Sequence, residues 1–320
     1  GVMSKLFYLI SLLVFSFSAT AAGEWLYYKH YPWVYDNVSN DWLYLRGAAD
    51  GSIYAYRSKT NKWDVFTAPK DDDVIPVPTW DEQYEEWILD PEPYGGLSVL
   101  QQIKENKDIG ATELKLWGNN ITDITPFAGL QHLARLDLNF TTASDMTPIS
   151  ELTGLTNLTL SRSNISDIEF IKDLTNLEYL NLEGNQLNDL SHLSGLSNLK
   201  ELNLWENNMS EITPLAGLTN LTKLYLSRNN ITNISSLAGL LKLKELGLHS
   251  NKISDLSAVK DFYNLEVLYI GNNDISDLNS LHKLTSLREL WAWNLSVSDL
   301  SPLSKLTNLT DLRLGSFPHF

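Results

Sequence analysis

The sequence predicts an α/β solenoid, a stack of coils built on short parallel strands, preceded by a small antiparallel β module. Three observations predict it. Leucines return in register every 22 residues from Ala111, with no insertion or deletion. Each unit contains an alternating core such as Leu180-Asn181-Leu182, the pattern of a short strand with one buried face. The chain before the repeats lacks this period and is rich in Trp and Tyr. A unit of this length cannot bury its apolar side alone, so neighbouring units must stack.

Composition narrows the function classes. Formal charge is −15, with 39 acidic against 24 basic residues, which argues against a nucleic acid as the main partner. The chain has no cysteine, so disulfides and thiolate metal sites are excluded.

Along the chain, residues 1–21 read as a signal peptide: Lys5 precedes an apolar run from Leu6 to Phe17, and Ala19-Thr20-Ala21 forms a small-residue cleavage pattern. The run is too short to span a bilayer comfortably, and no second stretch of spanning length follows, so no integral membrane span is expected. The alternatives are an uncleaved anchor or a buried strand.

Residues 22–68 form the aromatic-rich β module. Trp25-Leu26-Tyr27, Trp33-Val34-Tyr35 and Trp42-Leu43-Tyr44 recur, and Asp50-Gly51 supplies a turn before Ile53, which together predict three to five antiparallel strands. Trp25, Trp33 and Trp42 are candidates for stacking on sugar rings. The competing reading is that so small a sheet uses large rings to obtain a core.

Prolines and acidic runs mark residues 69–96 as a linker, within which Trp80, Tyr84 and Trp87 fall on one helical stripe stopped by Pro91 and Pro93. Leu97, Leu100 and Ile103 give residues 97–110 a helical spacing of their own. Residues 111–320 hold nine complete coils, which start at Ala111, Leu133 and then every 22 residues to Leu287, and a partial tenth from Leu309.

Two polar columns run down the coils. Asn119, Asn185, Asn207, Asn229, Asn251 and Asn273 follow the strand where the backbone turns inward and the next coil covers it. The amide side chain can donate and accept at such a turn, so these asparagines are structural. Thr141 and Ser163 replace part of that bonding, whereas Leu295 cannot, and altered turn geometry is expected there. The second column holds Asp123, Asp145, Asp167, Asp189, Glu211, Asn233, Asp255, Asp277 and Asp299. A calcium ladder is one reading, but one carboxylate per coil makes a poor cage, and Asp accepting backbone N–H bonds in a turn is the stronger one. No metal and no cofactor are expected.

NNITDITPFAGLQHL, SNISDIEFIKDLTNL and NNMSEITPLAGLTNL closely resemble the bacterial leucine-rich repeats of the internalin type, over residues 111–314. The resemblance implies a right-handed leucine-rich repeat solenoid with parallel strands on the concave face, 3₁₀ and turn segments on the convex face, and residues 97–110 as a helical cap. Some internalins bind host surface proteins through the concave face. No immunoglobulin-like region or sorting tail follows the coils in these 320 residues, so an invasion role is not implied.

The outward positions of the strands suit a macromolecular ligand. Trp117, Phe140, Tyr179, Trp205, Tyr225, Tyr269, Trp291 and Trp293 stand there, with Glu183, Glu206, Arg228, His249 and Arg288 beside them. Coil packing does not demand large rings at these positions, and Tyr and Trp are what interface centres use. The alternative is that the rings only cover one another.

The six histidines share no common partner or ligand spacing, and no nucleophile with a base is legible, so no catalytic residue is assigned and an enzyme is not expected. The expected function is protein binding at the concave face by a secreted or surface-exposed protein. Polysaccharide binding by the N-terminal module is the alternative, and end-to-end self-association through the last coil is a further expectation.

Overall fold

The computed structural model describes residues 33–36, 41–47, 53–57, 62–66, 78–118 and 120–315. The signal-peptide reading, Trp25, Asn119 and the last five residues lie outside them. The chain divides into two compact units, Gly1–Gln83 and Tyr84–Phe320.

In the first unit β1 (Trp33–Asp36), β2 (Asp41–Gly47), β3 (Ile53–Arg57) and β4 (Lys62–Phe66) form a four-stranded meander in that order. Every neighbouring pair is antiparallel, with Trp33 opposite Tyr44, Tyr44 opposite Tyr56, and Tyr56 opposite Trp63. Antiparallel neighbours can be joined by short connections, and four or five residues separate consecutive strands here.

Helix α1 (Trp80–Trp87) starts at a capping box: the Thr79 N–H donates to Glu82 Oε2 at 2.7 Å and the Glu82 N–H to Thr79 Oγ1 at 3.3 Å. The Thr79 N–H, and then the Thr79 hydroxyl donating to the same Oε2 at 2.8 Å, hold the Glu82 carboxyl below its ordinary pKa. Tyr84 and Trp87 are buried, and Trp87 packs on buried Tyr94 with ring centroids 5.9 Å apart. The Pro93 carbonyl accepts the N–H groups of Thr122 and Asp123, at 2.8 and 2.9 Å, in the first coil. From Tyr84 onward, therefore, the stretch read as a linker is part of the repeat unit.

Helix α2 (Leu97–Ile109) ends at Gly110, whose φ of +65° allows the left-handed C-cap. Its buried stripe is Val99, Leu100 and Ile103, while Leu97 is 46% exposed. The inward face is thus rotated slightly from the one that the leucine spacing suggests. Buried Asn106 donates to the Glu113 carbonyl at 2.8 Å and meets His132 Nε2 at 2.9 Å, satisfying polar groups of the first coil.

The coils contribute ten parallel three-residue strands, from Glu113–Lys115 to Asp311–Arg313, in one sheet in sequence order. Register is strict: Leu180 pairs Leu202 and Leu202 pairs Leu224, each a residue of the buried row. Short 3₁₀ segments such as Thr213–Gly217 carry the return side of the coils.

The asparagine column does what its position requires. Asn207 Oδ1 accepts the Leu187 N–H of the previous coil at 3.0 Å, and Nδ2 donates to the carbonyls of Leu182 and Leu204, both at 3.1 Å. Asn185, Asn229, Asn251 and Asn273 repeat this pattern and are all buried. Thr141 keeps only part of it, donating to the Ile121 carbonyl at 2.9 Å. At Leu295 the left-handed turn survives through Asn294, φ +52°, but the following amide bond to the previous coil, Ser296 N–H to Ile275 O, stretches to 3.3 Å.

In the aspartate column the carboxylate caps the turn. Oδ1 of Asp145, Asp167, Asp189, Asp255, Asp277 and Asp299 accepts the N–H two residues on, at 2.7 to 2.9 Å. Glu211, one methylene longer, makes no such bond among the described residues. A third ladder joins these two: Asn176, Asn198, Asn220, Asn264 and Asn308 each donate from Nδ2 to the carbonyl 23 residues earlier. Among the described residues no helix is long and apolar enough to cross a membrane.

A candidate interaction face on the strand side of the solenoid

Side chains alternate along a strand, so the third, fifth and seventh residues of each coil face outward while leucines four and six face the core. The eighth residue takes a left-handed backbone in all nine complete coils, from Gly118 to Asn294, with φ between +52° and +68°. Glycine tolerates that conformation freely, yet Phe140, Arg162, Glu206 and Arg228 occupy it too.

A chain of rings crosses coils five to nine. Trp205 stands edge-on to His249 with centroids 6.4 Å apart, and His249 lies 5.3 Å from Trp293. Trp293 meets Trp291 at 6.0 Å, and Trp291 meets Tyr269 at 4.5 Å. A guanidinium sits over each flank, Arg228 5.4 Å from the Trp205 ring and Arg313 3.9 Å from the Trp291 ring. Trp205, Tyr225, His249, Tyr269, Trp291 and Trp293 are all partly buried rather than exposed.

Small residues make this close approach possible. Down the seventh position the order is Trp205, Ser227, His249, Gly271, Trp293, large and small in alternation. A Cβ placed on Gly271 would come within 2.3 to 2.7 Å of Trp293 ring atoms, so that ring lies over the glycine. A Cβ on Gly247 would stand 3.3 Å from the Tyr225 ring and 3.1 Å from Ser227 Oγ. Strand neighbours two coils apart are about 9.6 Å apart, and only rings leaning over a small intervening residue can touch across that gap.

Charge on this face is largely paired within it. Arg162 reaches Glu206 at 3.0 Å and Glu183 at 3.4 Å, Arg228 reaches Glu206 at 3.7 Å, and Lys223 reaches Glu245 at 3.2 Å. The Tyr225 hydroxyl donates to Glu245 at 2.5 Å and the Tyr269 hydroxyl to Glu289 at 3.3 Å. Burial first, and then the Glu289 charge, push the Tyr269 pKa up to about 12. Burial, reinforced by Arg228, pulls His249 down to about 4. Its Nδ1 lies 3.1 Å from Ser250 Oγ, but an imidazole so weakly basic is a poor general base at neutral pH. The Trp205 indole N–H is buried without a hydrogen-bond partner.

The structure brings together only part of the residue set expected from the sequence. Trp117 and Phe140, 61% and 52% exposed, stand on the first two coils, away from the ring chain. Tyr179 and Glu183 lie on the fourth coil, between the two groups. Arg288 is the second residue of its coil and lines a flanking groove with Lys244 and Glu266 rather than joining the rings. Trp33 and Trp42 belong to β1 and β2 of the other unit. Arg313, Ser227, Gly247 and Gly271 escape the sequence reading, although the large–small alternation is legible once the coils are aligned.

The coil architecture has solved counterparts. The structure of an internalin C2 from Listeria monocytogenes matches with a TM-score of 0.61 and 33% identity, over 76% of this chain and 99% of that one. This chain belongs to the internalin-type bacterial leucine-rich repeat proteins. An internalin InlF of the same organism matches this internalin-type chain with 31% identity and a TM-score of 0.61, over 65% of this chain and 61% of that one. A leucine-rich repeat protein of Leptospira interrogans matches at 26% identity and a TM-score of 0.55, covering 65% of this chain and 62% of its own. Residues 153–195, 197–239, 219–262 and 241–283 match the family described as leucine rich repeats (2 copies). No curated protein sequence matches.

Proposed function

We propose that this internalin-type protein is exported, acts at or beyond the cell envelope, and binds a protein partner through the strand face of coils five to nine. The ring chain from Trp205 to Trp293 carries the reading. It is an extended surface of partly buried Trp, Tyr and His, held in place by paired charges, and such surfaces form the centres of protein interfaces. The hydrophobic start of the chain supports export. No reaction is assigned.

The test is capture of proteins from the surroundings of the producing bacterium by the full chain, followed by affinity measurement with the captured partner. Replacing Trp205 and Trp293 by alanine is expected to weaken binding at least 100-fold, since two interface anchors are each worth about 2 kcal/mol or more. Replacing Trp117 and Phe140 is expected to leave it within about threefold. The reverse order would move the interface to the first coils.

A further inference from the structure

The strand registers of the N-terminal sheet collect its aromatic positions on one face. Residues directly opposite on paired strands share a face, so Trp33, Tyr44, Tyr56 and Trp63 form one row across all four strands. Alternate residues return to the same face, which adds Tyr35 and its partner Trp42. The other face holds the aliphatic positions Val34, Leu43 and Ile53 together with Asp36 opposite Asp41 and Arg57 opposite Lys62 at the hairpin ends. Apart from Phe66, opposite Ile53, the aromatic positions of the four strands all fall on the first face, and Arg46 is the one charged position among them.

We infer that the Trp33–Tyr44–Tyr56–Trp63 row is a stacking platform for a neutral polysaccharide. Four strands at about 4.8 Å spacing make the row about 14 Å long, which suits an extended chain of sugar rings rather than a single small molecule. The C–H groups on the flat face of a pyranose pack against an aromatic ring, while the sugar hydroxyls stay at the edges, within reach of the polar groups that Tyr and Trp carry. A nearly uncharged face matches an uncharged polymer. A protein interface ordinarily adds a polar and charged rim, and a membrane-surface face ordinarily sets Lys and Arg beside its apolar residues, whereas Arg46 is the one charged position on this face.

The experiment applies the full chain to microcrystalline cellulose, to chitin and to phosphatidylcholine vesicles, and repeats it with Trp33→Leu combined with Trp63→Leu, and with Trp205→Ala. Leucine keeps apolar volume while removing the ring face. The expected result is retention on one of the two polysaccharides, at least tenfold weaker in the Trp33/Trp63 variant and unchanged in Trp205→Ala. Retention by neither polysaccharide, equal retention after the double change, or retention by the vesicles alone overturns the inference. So does a Trp33/Trp63 variant whose N-terminal unit becomes protease-sensitive, because the row would then be the core of the sheet. Protein capture through the coils is read separately and does not depend on any of these outcomes.

Discussion

At the residue scale, a buried asparagine in this fold is worth more than its own hydrogen bonds. Removing the Asn207 side chain leaves the Leu187 N–H without its 3.0 Å acceptor, while the Leu182 and Leu204 carbonyls each lose one of two amide donors and keep Asn185 Nδ2 and Asn229 Nδ2. Asn207→Ala is therefore expected to destabilise the solenoid by about 1–3 kcal/mol in urea unfolding, whereas exposed Asn198→Ala costs under about 1 kcal/mol. His249 gives a pH-dependent counterpart. Its folded pKa of about 4 lies below the ordinary 6.5, so between these values the unfolded chain binds more protons than the folded one. Stability falls as pH drops through that window. Comparing urea midpoints at pH 7 and pH 4.5 should show a smaller loss in His249→Phe, which keeps a ring between Trp205 and Trp293. Gly271→Ala tests the leaning geometry: it removes no ring but pushes Trp293 off the strand, and should change near-ultraviolet circular dichroism at a cost of about 1–3 kcal/mol.

At the scale of the element, the coil is a strand, a left-handed turn and a capped return, and each part has a legible sequence cause. The Asn and Asp columns can be assigned from the sequence because their side chains have few ways to satisfy a covered turn. The Asn176-to-Asn308 ladder escapes the same reading because those residues are exposed at the end of the coil, where asparagine is unremarkable by composition alone. Glu211 shows the limit of chemical similarity: its charge matches the column but its reach is wrong for the turn. Glu211→Asp should let the carboxylate accept the Thr213 N–H and raise stability by about 0.5–1.5 kcal/mol, measured by urea unfolding.

For the whole molecule, the solenoid is fully legible because a strict 22-residue period leaves no freedom of register. The candidate site is half legible. Outward positions follow from alternation, but which rings meet depends on the small residues between them, and Gly271 and Ser227 carry no chemistry that draws notice on their own. Arg288 is misplaced by the sequence because its position precedes the strand, and Arg313 is overlooked because it sits in the incomplete tenth coil. The residues from Tyr84 to Gly96 resemble a connector by composition, yet a single carbonyl, that of Pro93, binds two amides of the first coil and ties them to the repeats.

The most direct measurement is amide hydrogen exchange on the chain with and without its captured partner. New protection is expected in the strands of coils five to nine, around Trp205, Tyr225, Tyr269 and Trp291, with the first three coils unchanged. Protection confined to the first three coils, or to the convex 3₁₀ segments, would contradict it.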